Sequence, residues 1–596
     1  MTIEARALSF GIQPEYEGIG GQVQVAPRRT LEKLLAALGD GTPSPPGDLD
    51  LQAPDGVRCY GPDEMPRAWG VALQLYQIRS GRNWGIGDFA DLGALAALLA
   101  RAGADFIGLN PLHALFLSDP ARCSPFSPSN RRFLNPLYIA VDRIEGFAQS
   151  MADVAELTAL RALELVDYPR VAAAKTKALR QVWTAAGCPD APEGFLREGG
   201  EELKRHAVFE SLSAYMVEQG HGAGWQSWPE EYHDSAGAAV RDFAAAYSSD
   251  IAFHRWLQSQ ADSQLTQARE ACRAAGMSIG LYLDLAVGEA ADGSGSWGRA
   301  DVMTTARIGA PPDYFNETGQ DWGLAPLSPA TMVQSAAAPF REMVEHATRQ
   351  AGALRIDHAM GLWQLFLIPE GAGPADGTYV RYPLRAMLTA LAAASNANET
   401  IVIGEDLGNV PTGFRKVMDD VGILSYRIFF FERTEEGFIS PEQYPSNALA
   451  CLSTHDLPTF RGWWQGDDIR LRASFALISP AAAKEQTDAR ETERADLLRD
   501  LDHAGLGVGE TGRDLSHAAM DRLLVSVHAH LARTPSRLFA ARIEDLVGET
   551  EPVNLPSTLD EYPNWRRKLK IDLDRISDLG SFRDITAALR EERPRG

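Results

Sequence analysis

Four carboxylates stand where apolar runs of the chain break off. Asp284 follows Ile279-Gly280-Leu281-Tyr282-Leu283, Asp357 follows Ala353-Leu354-Arg355-Ile356, Glu405 follows Ile401-Val402-Ile403-Gly404, and Asp456 lies just beyond Ala448–Leu452. Carboxylates gathered at one place push one another's pKa upward, and a nearby arginine holds its partner ionised, so such a group separates into an acid and a base. Arg355 lies two residues before Asp357 and, on an extended strand, projects to the same face. Two carboxyl groups about 5–5.5 Å apart can break and remake a glycosidic bond with retention, one as nucleophile and the other as acid/base. Each residue also has a plainer reading. Asp357 and His358 are compatible with a solvated, turn-bonded strand end, carboxylates at strand ends form stabilising salt bridges, and Asp88 and Asp406 fit capping or turn roles.

The plainer readings lose ground when the supporting elements are counted. From Ala68 onward, short apolar or β-branched runs recur, each ending in polar residues. They are Gly70–Tyr76, Phe106–Leu109, Ile279–Leu283, Ala353–Ile356, Ile401–Gly404, Tyr426–Phe431, Ala448–Leu452 and Leu538–Ile543, the last leading to Glu544-Asp545. Helical periodicity separates them, as in Phe89–Ala102 and Ala338–Ala351. Eight strands alternating with helices predict an α/β fold, a (β/α)8 TIM barrel, whose active site lies at the carboxyl ends of its strands. An open doubly wound sheet and two separate α/β domains are the alternatives. In a barrel, Ile356 would face away into packing while Arg355 and Asp357 face the mouth.

The spacing also predicts insertions. A mostly helical one spans about 116–277, a Pro-, Gly- and aromatic-rich stretch around 300–335 (Gly309–Ser328 at its centre) reads as a loop, and a helical one spans about 465–525. In the last, Ala481–His503 has the charge alternation of a solvated helix and receives no chemistry. Before the barrel, residues 1–66 read as an amino-terminal appendage: a helix Pro27–Leu38 stopped by Gly39-Asp40-Gly41, then a linker, Gly41–Gly56, carrying Pro43, Pro45, Pro46 and Pro54. The catalytic unit then occupies 67–596.

Composition narrows the partners. The chain has 596 residues, 45% of them hydrophobic, and a formal net charge of -23. That field opposes nucleic-acid phosphates and anionic membranes and leaves a neutral substrate unaffected. Cys59, Cys123, Cys188, Cys272 and Cys451 have neither disulfide-framework nor zinc spacing, which predicts a reducing compartment. Met1–Phe10 lacks an apolar signal-peptide core, and no run reaches membrane-spanning length, so a cytoplasmic location is expected.

Six motifs together carry a family resemblance: Asn83-Trp84-Gly85-Ile86-Gly87-Asp88, Ser124-Pro125-Phe126-Ser127-Pro128-Ser129, Arg355-Ile356-Asp357-His358, Gly404-Glu405-Asp406-Leu407-Gly408, Thr454-His455-Asp456 and Tyr562-Pro563-Asn564-Trp565-Arg566. In order and spacing the set resembles the 4-α-glucanotransferases called amylomaltases, relatives of the α-amylases, over about residues 68–570. The resemblance implies retaining transfer of α-1,4-glucan segments from a maltooligosaccharide donor to the 4-hydroxyl of glucose or a glucan. It makes Asp357 the nucleophile, Glu405 the acid/base and Asp456 the stabiliser of the oxocarbenium-like transition state. Arg355, Asp284, His455 and His358 would orient the donor sugar. Gly319-Gln320-Asp321-Trp322-Gly323 resembles the family's mobile loop over the acceptor side, with Gln320 and Trp322 touching substrate.

Two departures stand out. Phe126 occupies a position where the family commonly has Tyr, which keeps a stacking face and loses a hydroxyl. The β-domain that precedes the barrel in longer bacterial members has no counterpart between the linker and Trp69. Neither cofactor nor metal is expected, and the sequence leaves monomer and homodimer open. A metal-dependent hydrolase would need converging ligands, whereas the single H-x-H, His528-Ala529-His530, lies in a helical stretch. A non-catalytic glucan-binding protein would not need all three catalytic carboxylates. A hydrolase of the same fold is the nearest rival, since water and a sugar hydroxyl compete for one intermediate.

Overall fold

The short runs are apolar on both faces, the composition of parallel strands covered by helices outside and by one another inside. In the computed structural model, which describes residues 1–596 except 19–20, 39–46, 48, 62–65, 313–317, 435 and 596, they close into an eight-stranded barrel. Its strands, in order, are Ala68–Leu73, Phe106–Leu109, Gly280–Leu285, Ala353–Ile356, Ile401–Gly404, Leu424–Ile428, Ala448–Cys451 and Leu538–Arg542. Each runs parallel to the next, and the eighth pairs with the first. The fold is therefore a (β/α)8 TIM barrel with large insertions.

Period-two alternation divides each strand between two cores. Phe106, Tyr282, Ala353, Ile403, Tyr426 and Cys451 fill the lumen, whereas Leu354, Ile356 and Val402 pack outward against helices. Glycine admits two close approaches: a Cβ at Gly70 would lie 2.4 Å from Phe106, and one at Gly352 only 1.7 Å from the Ile279 carbonyl oxygen. The helix Phe89–Ala102 begins at Asp88, whose side chain accepts from the Ala90 and Asp91 N–H groups, and stops at Gly103 in the left-handed conformation.

Several boundaries differ from the sequence expectation. The sixth strand starts at Leu424 and ends at Ile428, because Phe429–Phe431 turns away from the barrel. Phe429 stacks on Phe438 at 4.2 Å and Phe430 on Trp463 at 5.0 Å, so aromatic packing overrides β-propensity there. The first strand stops at Leu73, and Leu75–Gln77 is a 3-10 turn. Asp284 lies within the third strand, one residue before its end. The charged helix Pro480–His503 is not wholly solvated: Arg490 and Arg494 are buried, donating to the carbonyls of Trp463 and Trp464.

The segment around 300–335 departs furthest. Where a covering loop is expected, its described residues contribute strands Ala306–Ala310 and Gln320–Ala325 to a five-stranded antiparallel sheet, completed by Thr378–Arg381, Gln364–Pro369 and Glu289–Ala290, while residues 313–317 of the expected loop lie outside the described residues. Its glycines read as loop signals but serve the sheet, Gly309 through a close approach and Gly323 through a positive φ. A Cβ on Gly309 would sit 2.1 Å from the Gln320 carbonyl oxygen, and Gly323, with φ 69°, lies in the register shift between Asp321 and Leu324.

Residues before the barrel dock on this sheet. The helix Arg28–Ala37 lies within the expected span, and a hairpin, Glu15–Glu17 with Val23–Val25, accompanies it unforeseen. Ile12 is fully buried and bridges to Val380; the Thr378 hydroxyl donates to the Gln13 carbonyl at 2.6 Å. Gly39-Asp40-Gly41, Pro43, Pro45 and Pro46 lie outside the described residues. Between the second and third barrel strands run helices that include Tyr168–Ala185, Glu193–Glu218 and Ser248–Ala274. No helix among the described residues is long and apolar enough to cross a membrane.

Candidate active site

Arg355 is the inward residue at the end of the fourth strand, and a buried guanidinium needs carboxylate partners. Its Nη1 lies 2.9 Å from both oxygens of Asp284 and 2.8 Å from Asp357 Oδ1, while Nη2 lies 3.9 Å from Glu405 Oε2. Strands three, four and five thus deliver three carboxylates to one cation. The Tyr426 ring supports it from the sixth strand, its centroid 5.8 Å from the guanidinium carbon.

The backbone fixes these side chains in turn. The Glu405 N–H donates to the Ile356 carbonyl at 3.0 Å and the Ala359 N–H to the Glu405 carbonyl at 2.8 Å. Glu405 Oε2 accepts from the His358 N–H at 3.0 Å and Oε1 from the Leu407 N–H at 2.8 Å. His358 adopts φ 50°, strained for a non-glycine residue, and this turn aims its N–H at Glu405. Asp357 Oδ2 accepts from the Val287 N–H at 3.3 Å.

Electrostatics separate the carboxyl groups. Burial raises Glu405 to about 7, with Asp357 adding to the rise and Arg355 and the two backbone N–H groups opposing it. Burial likewise lifts Asp284 to about 6 against the pull of Arg355. His358 is driven down to about 4, chiefly by burial, which leaves its ring neutral near pH 7. Asp456 differs, with 48% of its side chain exposed. Desolvation in the recess raises its pKa, but His455, the Asn554 amide and Arg355 outweigh that and bring it to about 2. His455 Nε2 lies 3.2 Å from Asp456 Oδ2, and Asn554 Nδ2 donates to Oδ1 at 2.6 Å. A buried carboxyl held near neutrality beside one driven down to about 2 is the equipment for proton transfer during a displacement.

Around this centre the other anticipated residues assemble. Phe126 stacks on His455 with centroids 4.6 Å apart, and Trp565 tilts against both, at 5.3 and 5.6 Å. Trp322 meets His358 edge-on at 5.3 Å and donates from Nε1 to Gln320 Oε1 at 3.2 Å. Gln320 and Trp322 therefore sit on a strand beside His358 and not on a free loop. Asp406 is engaged structurally, accepting from the Tyr426 N–H at 2.9 Å and pairing with Arg415 at 2.7 Å. His528 is buried in the helix His517–Ala532, its Nδ1 2.7 Å from the Leu524 carbonyl. Among the described residues no group of three or more His, Cys, Asp or Glu could hold a metal ion.

Sequence reasoning passed over Asn554, Arg542 and the placement of Trp565. Arg542, at the end of the eighth strand, donates from Nη1 to Ser453 Oγ and to the Leu457 and Pro458 carbonyls at 3.0–3.3 Å, and so holds the loop that carries Asp456. Trp565 stood within a recognised motif, and its φ of 60° is visible only in the fold. Asn554 carried no sequence signal, since its partner lies 98 residues away.

The family model described as 4-alpha-glucanotransferase matches residues 73–574. A 4-alpha-glucanotransferase of Mycobacterium tuberculosis is 38% identical over 531 residues, covering 85% of this chain and 72% of the relative. That of Haemophilus influenzae is 35% identical over 531 residues, covering 85% and 76%. Among solved structures, amylomaltase from Corynebacterium glutamicum superimposes with a TM-score of 0.83 at 26% identity, covering 98% of this chain and 99% of that one. An amylomaltase from Streptococcus agalactiae shares the fold with a TM-score of 0.68 at 18% identity, covering 89% and 99%.

Proposed function

Because the chain belongs to the 4-alpha-glucanotransferase family, we propose that Asp357, Glu405 and Asp456 carry out its transfer reaction through a covalent glycosyl-enzyme. One Asp357 oxygen attacks C1 of the donor sugar as the C1–O bond breaks, and Glu405 gives its proton to the departing 4-oxygen. The acceptor's 4-hydroxyl then loses its proton to Glu405 and attacks C1, releasing Asp357. Two inversions restore the α-configuration. Asp456 grips sugar hydroxyls most strongly as positive charge develops, which accelerates the reaction only if those contacts tighten in the transition state. Arg355, Asp284, His455, His358 and Phe126 orient the donor, and Gln320 and Trp322 face the acceptor side. Maltooligosaccharides and longer α-1,4-glucans are the donors, with glucose a competent acceptor.

The observation that carries this reading is the shared Arg355 partnership of Asp284, Asp357 and Glu405, in which burial holds Glu405 near 7. Incubation with maltotriose is expected to give glucose plus a ladder of longer oligosaccharides. Glucose and maltose without longer products would identify a hydrolase instead. Asp357→Asn is expected to abolish the trapped glycosyl-enzyme, and wild-type turnover in that variant would remove Asp357 from the nucleophile's role.

A further inference from the structure

Asp357, ion-paired with Arg355 through one oxygen, accepts a hydrogen bond through the other from a backbone group, the Val287 N–H just past the third strand, and a backbone donor is only as well placed as the segment that bears it. Arg131 Nη1 donates to the Ala286 carbonyl at 3.0 Å and to the Val287 carbonyl at 2.9 Å. The Ala286 N–H donates to His113 Nε2 at 3.3 Å. Burial and Arg131 keep His113 at about 3, so its ring is neutral and free to accept. Arg131 and His113 occupy facing strands of a small antiparallel hairpin, His113–Ala114 with Asn130–Leu134. The Arg131 N–H donates to Glu289 Oε2 at 3.3 Å, and the guanidinium lies 3.7 Å from the same carboxylate, both side chains under 10% exposed. Burying an arginine is costly, and here Nη1 is spent on the two residues that aim one N–H at the nucleophile while Nε, 3.7 Å from Glu289, makes no hydrogen bond.

We propose that Arg131 is a positioning residue for glycosyl transfer: by clamping the Ala286 and Val287 carbonyls, it fixes the Val287 N–H that orients Asp357 for attack on C1. The proposal rests on Asp357 being the nucleophile. Arg355 holds one oxygen of Asp357 and Val287 the other, so loosening the clamp lets the carboxylate rotate about its remaining bond. Misplacement of a reacting group by about 1 Å can cost on the order of 100-fold in rate.

The test is formation of the glycosyl-enzyme from α-maltosyl fluoride, followed by rapid quenching and peptide mass spectrometry. The wild type, Arg131→Gln, Arg131→Lys and the double variant Arg131→Gln/Glu289→Gln are compared per folded molecule. Arg131→Gln is expected to label Asp357 roughly 10- to 100-fold more slowly, with KM for acceptor glucose unchanged. Arg131→Lys should regain part of the rate, since an ammonium can still meet two carbonyls. The double variant leaves no orphaned buried charge, so it guards against simple misfolding, and it should remain slow. Labelling of Asp357 at the wild-type rate in the double variant overturns the positioning role, reducing Arg131 to a counter-ion for Glu289. A wild-type label on a different carboxylate overturns the assignment of Asp357 itself, and this proposal with it.

Discussion

At Glu405 the same burial that suits catalysis works against folding. Its pKa moves from an ordinary 4.5 to about 7, so the native state holds the proton more tightly than the unfolded chain does. The stability this group contributes is fully present below about pH 4.5 and is lost as pH rises through 7. Glu405→Gln, which carries no charge, should therefore be more stable than wild type at pH 8, by on the order of 3 kcal/mol, and the difference should vanish near pH 4.5; thermal melts at both values check this. As the proposed acid, Glu405 must carry its proton, so kcat/KM should fall on the alkaline side with a midpoint near 7. The same variant should lose about 10²- to 10⁴-fold on maltotriose yet keep much of its glycosylation by maltosyl fluoride, whose leaving group needs no proton. A variant impaired equally on both donors would assign the acid to another residue. Phe126 allows a finer probe. Phe126→Tyr keeps the stack on His455 and adds a hydroxyl, and one net hydrogen bond of about 0.5–1.5 kcal/mol should lower donor KM roughly 2- to 10-fold.

Among the elements, the strand Gln320–Ala325 has the largest consequence for function. A loop would let Trp322 swing in and out, whereas here it sits in a bulge between the paired Asp321 and Leu324, edge-on to His358 and bonded to Gln320. Trp322→Ala should therefore raise KM for acceptor glucose by about 2- to 10-fold, the value of one aromatic contact of about 0.5–1.5 kcal/mol, while leaving the glycosylation rate unchanged. Steady-state kinetics at varied glucose, set beside the fluoride burst, separates the two, and a slowed burst would place Trp322 on the donor side. The helix Pro480–His503 teaches a related lesson. Its charge alternation reads as solvated, yet the Arg490 and Arg494 guanidinium groups lie over the Trp463 and Trp464 rings and donate to the carbonyls of the same two residues.

For the whole molecule, the barrel, the five-stranded sheet and the segment before the barrel share packing. The core containing Leu354 and Ile356 beneath the site also contains Ile12, Leu31, Leu34 and Val380. Ile12→Asp would place an unpaired charge in that core, a change costing several kcal/mol. Hydrogen exchange is expected to accelerate in Gln364–Pro369 and Thr378–Arg381 while the first and eighth barrel strands stay protected. Uniform acceleration would show instead that the sheet and the barrel unfold as one unit.

The sequence by itself determined the barrel and pointed to the centre proposed above, because both are written in local patterns. Apolar runs of strand length ending in Asp284, Asp357, Glu405 and Asp456 carry their own period, and period two puts Arg355 and Asp357 on one face. Tertiary structure alone decided what lies far apart in the chain. Asn554 reaches Asp456, Arg542 grips the Leu457–Pro458 carbonyls, and Arg131 holds the turn behind Asp357. It also decided that glycines around Gly309 and Gly323 serve a sheet. A glycine's sequence neighbours do not reveal whether its missing Cβ makes room for a turn or for a second strand, and a polar side chain does not name a partner that only folding brings within 3 Å.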